Sequence, residues 1–443
     1  MSVITDLDRW IERQYPIAVR NMQLAISATA TVKERPGFGQ TVTPKRGSVV
    51  ASPVPASYDP DPDYFFHWYR DSAVVIDALR QIDPRWLDSE MAAAHFCDFV
   101  DFSLGLDDIR TDPDRALQPG WRDRVRPDFE QFLRDEADLA AYAVRGETRV
   151  NPDGRLDISR WNRPQYDGIA ARVLTVLRWS AGRSFGARHD ANIAALLDQD
   201  IRFVLAHWRE PSYDIWEEEK AHHYYTLRIE AAALEEGASW LAAQGDAATA
   251  QRARADAAEI QGRLHHFWHT EEGFYRSRLT EDGKATPKDL DIAVILAAIH
   301  AGGSLPTHSP YDARMEATLD RLDAIFEEDY AINRDRPEGR GIALGRYRGD
   351  EYYSGGAYYF STQAAAEFCY LRAAALRAAD PAVAGRLKAR GDAYLETIRA
   401  FTPDDGEMSE QFDRVTGEHT SAKHLAWSYA GFITAVEARR KAG

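Results

Sequence analysis

Helical periodicity recurs along this chain about every 35 residues without a break in composition, and that spacing restricts the fold more than any single motif does. Apolar residues return at steps of three and four over roughly 5–27, 71–84, 87–104, 127–146, 166–183, 189–208, 225–243, 246–268, 289–301, 311–328, 358–378, 382–401 and 421–440. In AAALEEGASWLAA, for example, Ala233, Leu234, Ala238, Trp240 and Leu241 fall on one side of a helix, with Glu235 and Glu236 off it. Windows 364–379 and 382–398, rich in alanine and poor in β-branched residues, favour helix by propensity as well. Strand signals are weak, so the expectation is an all-α protein. Its 443 residues are two to three times a usual domain of about 150, yet no Ser/Thr/Pro linker divides them. One large domain is therefore expected over residues 1–443. No self-similar motif supports a solenoid, whereas a closed double ring of helices needs none.

Composition narrows the function. With 44% hydrophobic residues, eleven Trp, twenty Tyr and eighteen Phe, the chain can bury a large core. Its 54 basic and 70 acidic residues leave 54 − 70 = −16, a field that repels nucleic-acid phosphates and anionic lipid. Neither nucleic acid nor membrane is the expected partner; a neutral substrate suits the charge, and no obligate protein partner is evident. No run of eighteen apolar residues occurs. The first thirty residues set Asp6, Asp8, Arg9, Glu12 and Arg13 among their apolar positions and so lack a signal-peptide core, which places the chain in the cytoplasm as an expectation. Cys97 and Cys369 are too few for a disulfide framework or a four-ligand zinc site, and reduced thiols are expected.

The loops between helices, at 28–70, 105–126, 147–165, 209–224, 269–288, 329–357 and 402–420, concentrate the chemistry. Trp, Tyr, Arg and carboxylates gather in PDYFFHWYRDS (62–72), SRWNRPQYDG (159–168), YDIWEEEKAHHYYT (213–226), GRYRGDEYYSGG (345–356) and GEMSEQFDRVTGEHTSAKHLAWSYA (406–430). Aromatic faces beside charged hydrogen-bonding groups match a pyranose, with its apolar C–H face and ring of hydroxyls; an aromatic-lined protein interface has the same composition. Acidic residues before a helix, as in Asp214-Ile215-Trp216-Glu217-Glu218-Glu219, ordinarily just offset its dipole. The sharper reading makes Glu217 a general acid whose ionised form is disfavoured by Asp214 and Glu218, and the isolated Glu410 a general base, because acetal hydrolysis needs such a pair. His265 and His269 stand four apart, but HHFWH has no glutamate of HExxH, so both are read as packing residues; His67, His222 and His223 are read as loop or supporting residues. GxGxxG, GxxxxGKS and GxSxG are absent, and no cofactor or metal is expected.

Taken in order, GSVVASPVP, PDYFFHWYRDSAVVIDAL, RWNRPQYDGIAARVL, YDIWEEEKAHHYYTLRIEAAALEEG and MSEQFDRVTGEHTSAKHLAWSYAGFITA resemble the glucoamylases of glycoside hydrolase family 15, from about residue 5 to 438. The resemblance implies an (α/α)6 barrel that releases glucose from the non-reducing ends of α-glucans with inversion. It implies Glu217 as general acid and Glu410 as general base, with Glu218 helping to bind substrate and Asp214 preceding the acid. Arg70 and Asp71 would hold the non-reducing glucose, assisted by Arg346; Trp68, Trp161 and Trp427 would form aromatic walls, and Tyr64 would stand near the base. A structural ion pair is the other reading of Arg70 and Asp71. An inverting pair requires carboxyls ~6.5–9.5 Å apart.

Departures bear on specificity. Where these enzymes usually read PED-x-YYNGNPW, this chain reads RGDEYYSGGAYYF, so Ser354, Gly355, Gly356, Ala357 and Tyr358 replace the Asn-Gly-Asn-Pro-Trp run. His67 stands where Thr is common, and His222 and His223 where small polar residues are usual. The α-1,4, α-1,6 and α,α-1,1 linkages all stay open, with isomaltose and trehalose as the alternative substrates. The non-enzymatic alternatives are a sugar-binding protein with the same pocket and a helical scaffold. No starch-binding module, linker or N-terminal β-domain is seen, so soluble oligosaccharides are expected rather than granules.

Overall fold

The computed structural model describes residues 5–57, 60–107, 116–141, 144–280, 286–303 and 307–443. Twelve long helices carry the fold among these residues: α1 (Asp6–Gln23), α2 (Tyr69–Gln81), α3 (Ser89–Gly105), α4 (Asp167–Ser180), α5 (Ala187–His207), α6 (Tyr224–Ala243), α7 (Ala247–Leu264), α8 (Ala293–Ala301), α9 (Ala313–Asp329), α10 (Tyr359–Leu376), α11 (Pro381–Phe401) and α12 (Ala426–Ala442). The even-numbered helices pack in sequence, α2 on α4, α4 on α6, α6 on α8, α8 on α10, α10 on α12, and α12 back on α2. That closed inner ring is surrounded by the odd-numbered helices, so the expected (α/α)6 barrel is the fold.

Sequence decides which ring a helix joins. Outer α1 buries Leu7, Trp10, Ile11, Tyr15, Ala18, Val19 and Met22, one stripe at steps of three and four. Inner α8 reads AVILAAIHA and is apolar almost all round. The helix starts differ too. Outer helices begin on Thr5, Asp88, Asp246, Asp312 and Asp380, whose side chains take backbone N–H groups of the first turn; α5, after Gly186, is the exception. The six inner helices start after Trp68, Tyr166, His223, Ile292, Tyr358 and Leu425, and none has a side-chain cap.

Short antiparallel ribbons pin the inner helix starts. His67–Trp68 pairs with Arg149–Val150 and runs into α2. Lys220–His223 lies between Ser212–Tyr213 and Arg278–Leu279 and runs into α6. Gln411–Phe412 pairs Tyr358 with Gln411 on one side and Phe412 with His419 on the other, and Ala357–Tyr358 runs into α10.

Four expected boundaries are corrected. Residues 127–146 do not form one helix: Pro127–Phe132 is 3-10, Glu136–Ala141 is a short helix, and 142–143 lie outside the described residues. The reason is that its backbone bonds across to the next loop, Arg134 N to Ile158 O at 3.0 Å and Arg160 N to Phe132 O at 2.6 Å, while Val125, Leu133, Ile158 and Phe38 form a small core of their own. The helix expected over 246–268 stops at Leu264, and Trp268–His269 pairs with Phe274–Tyr275. The helices expected from 289 and 421 start at Ala293 and Ala426, because Pro287–Asp289 is a 3-10 turn and His419–Thr420 a strand.

Candidate active site

The uncapped ends of the inner helices surround a cavity of about 440 Å³. Tyr64, Trp68, Arg70, Asp71, Trp161, Glu217, Glu218, Arg346, Glu410 and Trp427 all line it, ten of the eleven residues singled out in the sequence. The eleventh, Asp214, lies behind the wall, where its carboxylate accepts the backbone N–H groups of Glu218 at 2.7 Å and Glu219 at 3.0 Å.

Glu217 sits at the tip of the turn between two strands with φ 65°, the left-handed region that a residue with a Cβ rarely occupies. Donors converge on it. Trp68 Nε1 at 2.8 Å and an Arg70 guanidinium nitrogen at 3.1 Å meet Oε1, Trp161 Nε1 meets Oε2, and Asn162 Nδ2 donates to the backbone carbonyl at 2.6 Å. The two indoles are fixed from behind by buried Arg149, whose guanidinium stands 3.7 Å from the Trp161 ring and 4.7 Å from the Trp68 ring and pairs with Asp157 at 2.8 Å.

Arg70 and Asp71 occupy the first turn of α2. Arg70 bonds Asp167, on the first turn of α4, at 3.1 Å. Gly168 permits that approach, because a Cβ there would come within 2.6 Å of Tyr69 Cβ and 2.7 Å of Arg70 N. Asp71 has Arg70 at 3.5 Å and no other cation paired with it among the described residues, and burial, with Arg70 opposing it, pushes its carboxyl up to about 6. A buried carboxylate so sparsely partnered suits vicinal sugar hydroxyls better than it suits a closed structural ion pair.

Glu410 precedes the Gln411–Phe412 strand. Its backbone is held from both sides, N–H to Ala422 O at 2.7 Å and C=O from Tyr359 N at 3.2 Å. Burial pushes its carboxyl from 4.5 up to about 7, with Asp71 and Asp350 adding to that and the Ser421 hydroxyl and Arg346 pulling it back. The Tyr64 hydroxyl is 3.4 Å from Oε1 and 2.7 Å from the Tyr352 hydroxyl.

Asp214 and Glu218 are themselves paired with cations. Lys288 Nζ bridges them, 2.7 Å from Asp214 Oδ2 and 2.6 Å from Glu218 Oε2; Arg346 reaches Glu218 Oε1 at 2.8 Å, and the Tyr347 hydroxyl donates to Oε2 at 2.5 Å. Arg346 is in turn held bidentately by Asp350 at 2.6 and 2.5 Å. Lys288, Asp350, Ser421, Tyr352, Trp216 and Phe360 belong to this site and escaped the sequence reading. Tyr352 and Asp350 lie inside a quoted motif, and a polar–aromatic count there would have found them; Lys288 carries no local signal.

The histidines hold other things. His67 is buried and accepts the Val49 N–H on Nδ1 at 3.0 Å, with burial pushing its ring down to about 3. His223 bonds the Glu219 carbonyl at 3.0 Å. His265 meets His308 at 3.3 Å and His269 stacks on Phe274, as packing residues do.

Glucoamylase P of Amorphotheca resinae is 30% identical over 439 residues, covering 90% of this chain and 65% of that protein. A glucoamylase of Blastobotrys adeninivorans is 25% identical over 460 residues, covering 89% and 67%. The chain thus spans about two thirds of these relatives' length. The solved structure of Hormoconis resinae glucoamylase superposes with a TM-score of 0.78 at 26% identity, over 98% of this chain and 74% of that one. The family model described as glycosyl hydrolases family 15 matches residues 38–120 and 145–437, which include every residue of the pocket named above, and this chain belongs to that family.

Proposed function

We propose that this protein is an exo-acting, inverting α-glucoside hydrolase of glucoamylase type, releasing β-glucose from the non-reducing ends of α-1,4-linked malto-oligosaccharides. One observation carries it: Glu217, ringed by oriented donors, and Glu410, buried with a raised pKa, line the same aromatic-walled pocket as the Arg70–Asp71 pair. Arg70 and Asp71 grip the terminal glucose by its hydroxyls. Glu217 delivers a proton to the glycosidic oxygen as its bond to C1 breaks; Glu410 takes a proton from a water that attacks C1 from the opposite face. One water is consumed, and the anomeric configuration inverts. Phe360 and Trp427, stacked 4.5 Å apart at 12°, close the inner side of the pocket, which fits attack on a chain end rather than within a chain.

The relatives' name, glucoamylase, supports the α-1,4 choice. No helix among the described residues is long and apolar enough to cross a membrane. A cytoplasmic location is part of this proposal, supported by one relative that is an intracellular, sporulation-specific glucoamylase of Saccharomyces cerevisiae. The deciding experiment incubates the protein with maltose, maltotriose, isomaltose, panose and trehalose and follows the released anomer by proton NMR in the first minutes. Initial β-glucose, fastest from the malto-oligosaccharides, is expected. Initial α-glucose would remove Glu410 as base, and faster release from isomaltose or trehalose would replace the linkage.

A further inference from the structure

The inner ring encloses a second cavity, of about 470 Å³, on the far side of Phe360 and Trp427. These two rings line both cavities and form the wall between them. Inner helices present axial stripes to it at steps of three and four, such as Val74, Asp77 and Gln81 of α2 or Phe360, Ala364, Glu367 and Leu371 of α10. Tyr311, 44% exposed, marks the end that meets solvent.

These stripes carry groups that a packed core leaves out. Glu367 has the Thr434 hydroxyl as its hydrogen-bond partner and no ion-pair partner among the described residues. His300 spends Nδ1 on the Tyr225 hydroxyl at 2.8 Å, and its Nε2 has no hydrogen-bond partner among the described residues. Both side chains lie deep among the inner helices, yet both keep accessible surface, because that surface faces the cavity. Burial pushes the Glu367 carboxyl up and the His300 ring down, so at neutral pH His300 is an uncharged imidazole. The Tyr225 hydroxyl and Nδ1 satisfy each other, which leaves Nε2 to face the cavity as a donor in one imidazole tautomer and an acceptor in the other.

An aromatic wall at one end, with the Glu367 carboxyl and the His300 imidazole Nε2 on the sides, recognises a polyhydroxylated ring, whose hydroxyls both donate and accept. An amine would want a cluster of unpaired carboxylates, and a phosphate would want free cations, whereas Asp77 pairs with Arg80 at 3.1 Å and Glu236 with Arg178 at 3.8 Å. The cavity's volume, about 470 Å³ beside about 440 Å³ for the active-site pocket, leaves room for one pyranose. We propose that the axial cavity is a second sugar site, taking one glucose-sized pyranose against the back of the Phe360–Trp427 wall. The choice of glucose as ligand rests on the proposed function, since glucose is the product released on the other side of that wall.

The test is the number of glucose molecules bound per chain by equilibrium dialysis, with difference density in glucose-soaked crystals to place them and maltose hydrolysis measured in parallel. The wild-type protein should bind two. Glu367→Leu, which removes the acceptor, and Ala364→Trp, which places an indole in the space next to the Phe360–Trp427 wall, should each bind one in the active-site pocket and keep hydrolysing maltose. A single glucose on the wild type, or water alone in the axial cavity of the soaked crystals, would overturn the second site while leaving maltose hydrolysis to judge the first. Two molecules bound to both variants would overturn it as well.

Discussion

Glu410→Gln separates what Glu410 does for chemistry from what it costs the fold. Its carboxyl is 8% exposed and lifted from 4.5 to about 7. At 1.36 kcal/mol per pH unit that lift corresponds to about 3 kcal/mol. Its sign follows from proton binding. Between pH 4.5 and 7 the folded protein holds a proton there that the unfolded chain has released, so stability falls as pH rises through this window and stays lower above it. Glutamine resembles the protonated carboxyl in shape and cannot ionise. The variant should therefore match the wild type near pH 4 and exceed it by about 3 kcal/mol at pH 8. For 443 residues unfolding with an entropy of about 0.9 kcal/mol/K, this is a rise of about 3 °C in the thermal midpoint at pH 8 and none at pH 4. Turnover of maltose should fall by about 10²–10⁴-fold, the usual worth of a general base. Midpoints recorded by calorimetry across pH, beside kcat, check both halves. Equal midpoints at pH 8 would refute the claim that Glu410 is held against its burial, and unchanged kcat would refute its role as base.

Three further outcomes are expected. Ser421→Ala removes the hydroxyl that pulls the Glu410 carboxyl down, so the rising limb of kcat/KM against pH should move to higher pH; a limb that stays or moves lower contradicts the pairing. Lys288→Met removes the cation bridging Asp214 and Glu218 and should raise KM about tenfold, or about 1.4 kcal/mol, with a smaller effect on kcat; Lys288→Arg should recover part of the loss, and an unchanged KM would make the bridge incidental. Asp312→Ala removes the cap of α9 and the acceptor for Tyr275 Oη and His308 N, each at 2.9 Å, and should cost about 3 kcal/mol or more in chemical denaturation without changing KM.

How far the sequence was legible depended on whether a residue's role is local. The outer helices expected to begin at 87, 246 and 382 start one or two residues away, at Ser89, Ala247 and Pro381, because Asp88, Asp246 and Asp380 cap them from within the chain. The inner helices expected at 289 and 421 start four and five residues late, because a 3-10 turn at Pro287–Asp289 and a strand at His419–Thr420 precede them, whereas the equally uncapped helices at Tyr69, Asp167, Tyr224 and Tyr359 start within two residues of the expected place. Pocket residues were legible where chemistry and aromatics sit side by side, as in WYRD and WEEE. Lys288 was not, because it acts only on carboxylates brought to it from seventy residues away. The pairing of Asp214 and Glu218 with Lys288 and Arg346 was hidden for the same reason, since both cations are distant in sequence.

The contrast between capped outer and uncapped inner helices has a practical consequence. Helix-start substitutions that strengthen the outer ring touch no residue of the pocket, so thermal robustness can be raised on one set of positions while selectivity is altered on another. Inner-helix starts are different positions for engineering: their first residues are tied to neighbouring backbone, Tyr69 N to Thr148 O, Tyr359 N to Glu410 O and Ala426 N to Ala51 O, so a new cap there would disturb the loops that shape the pocket.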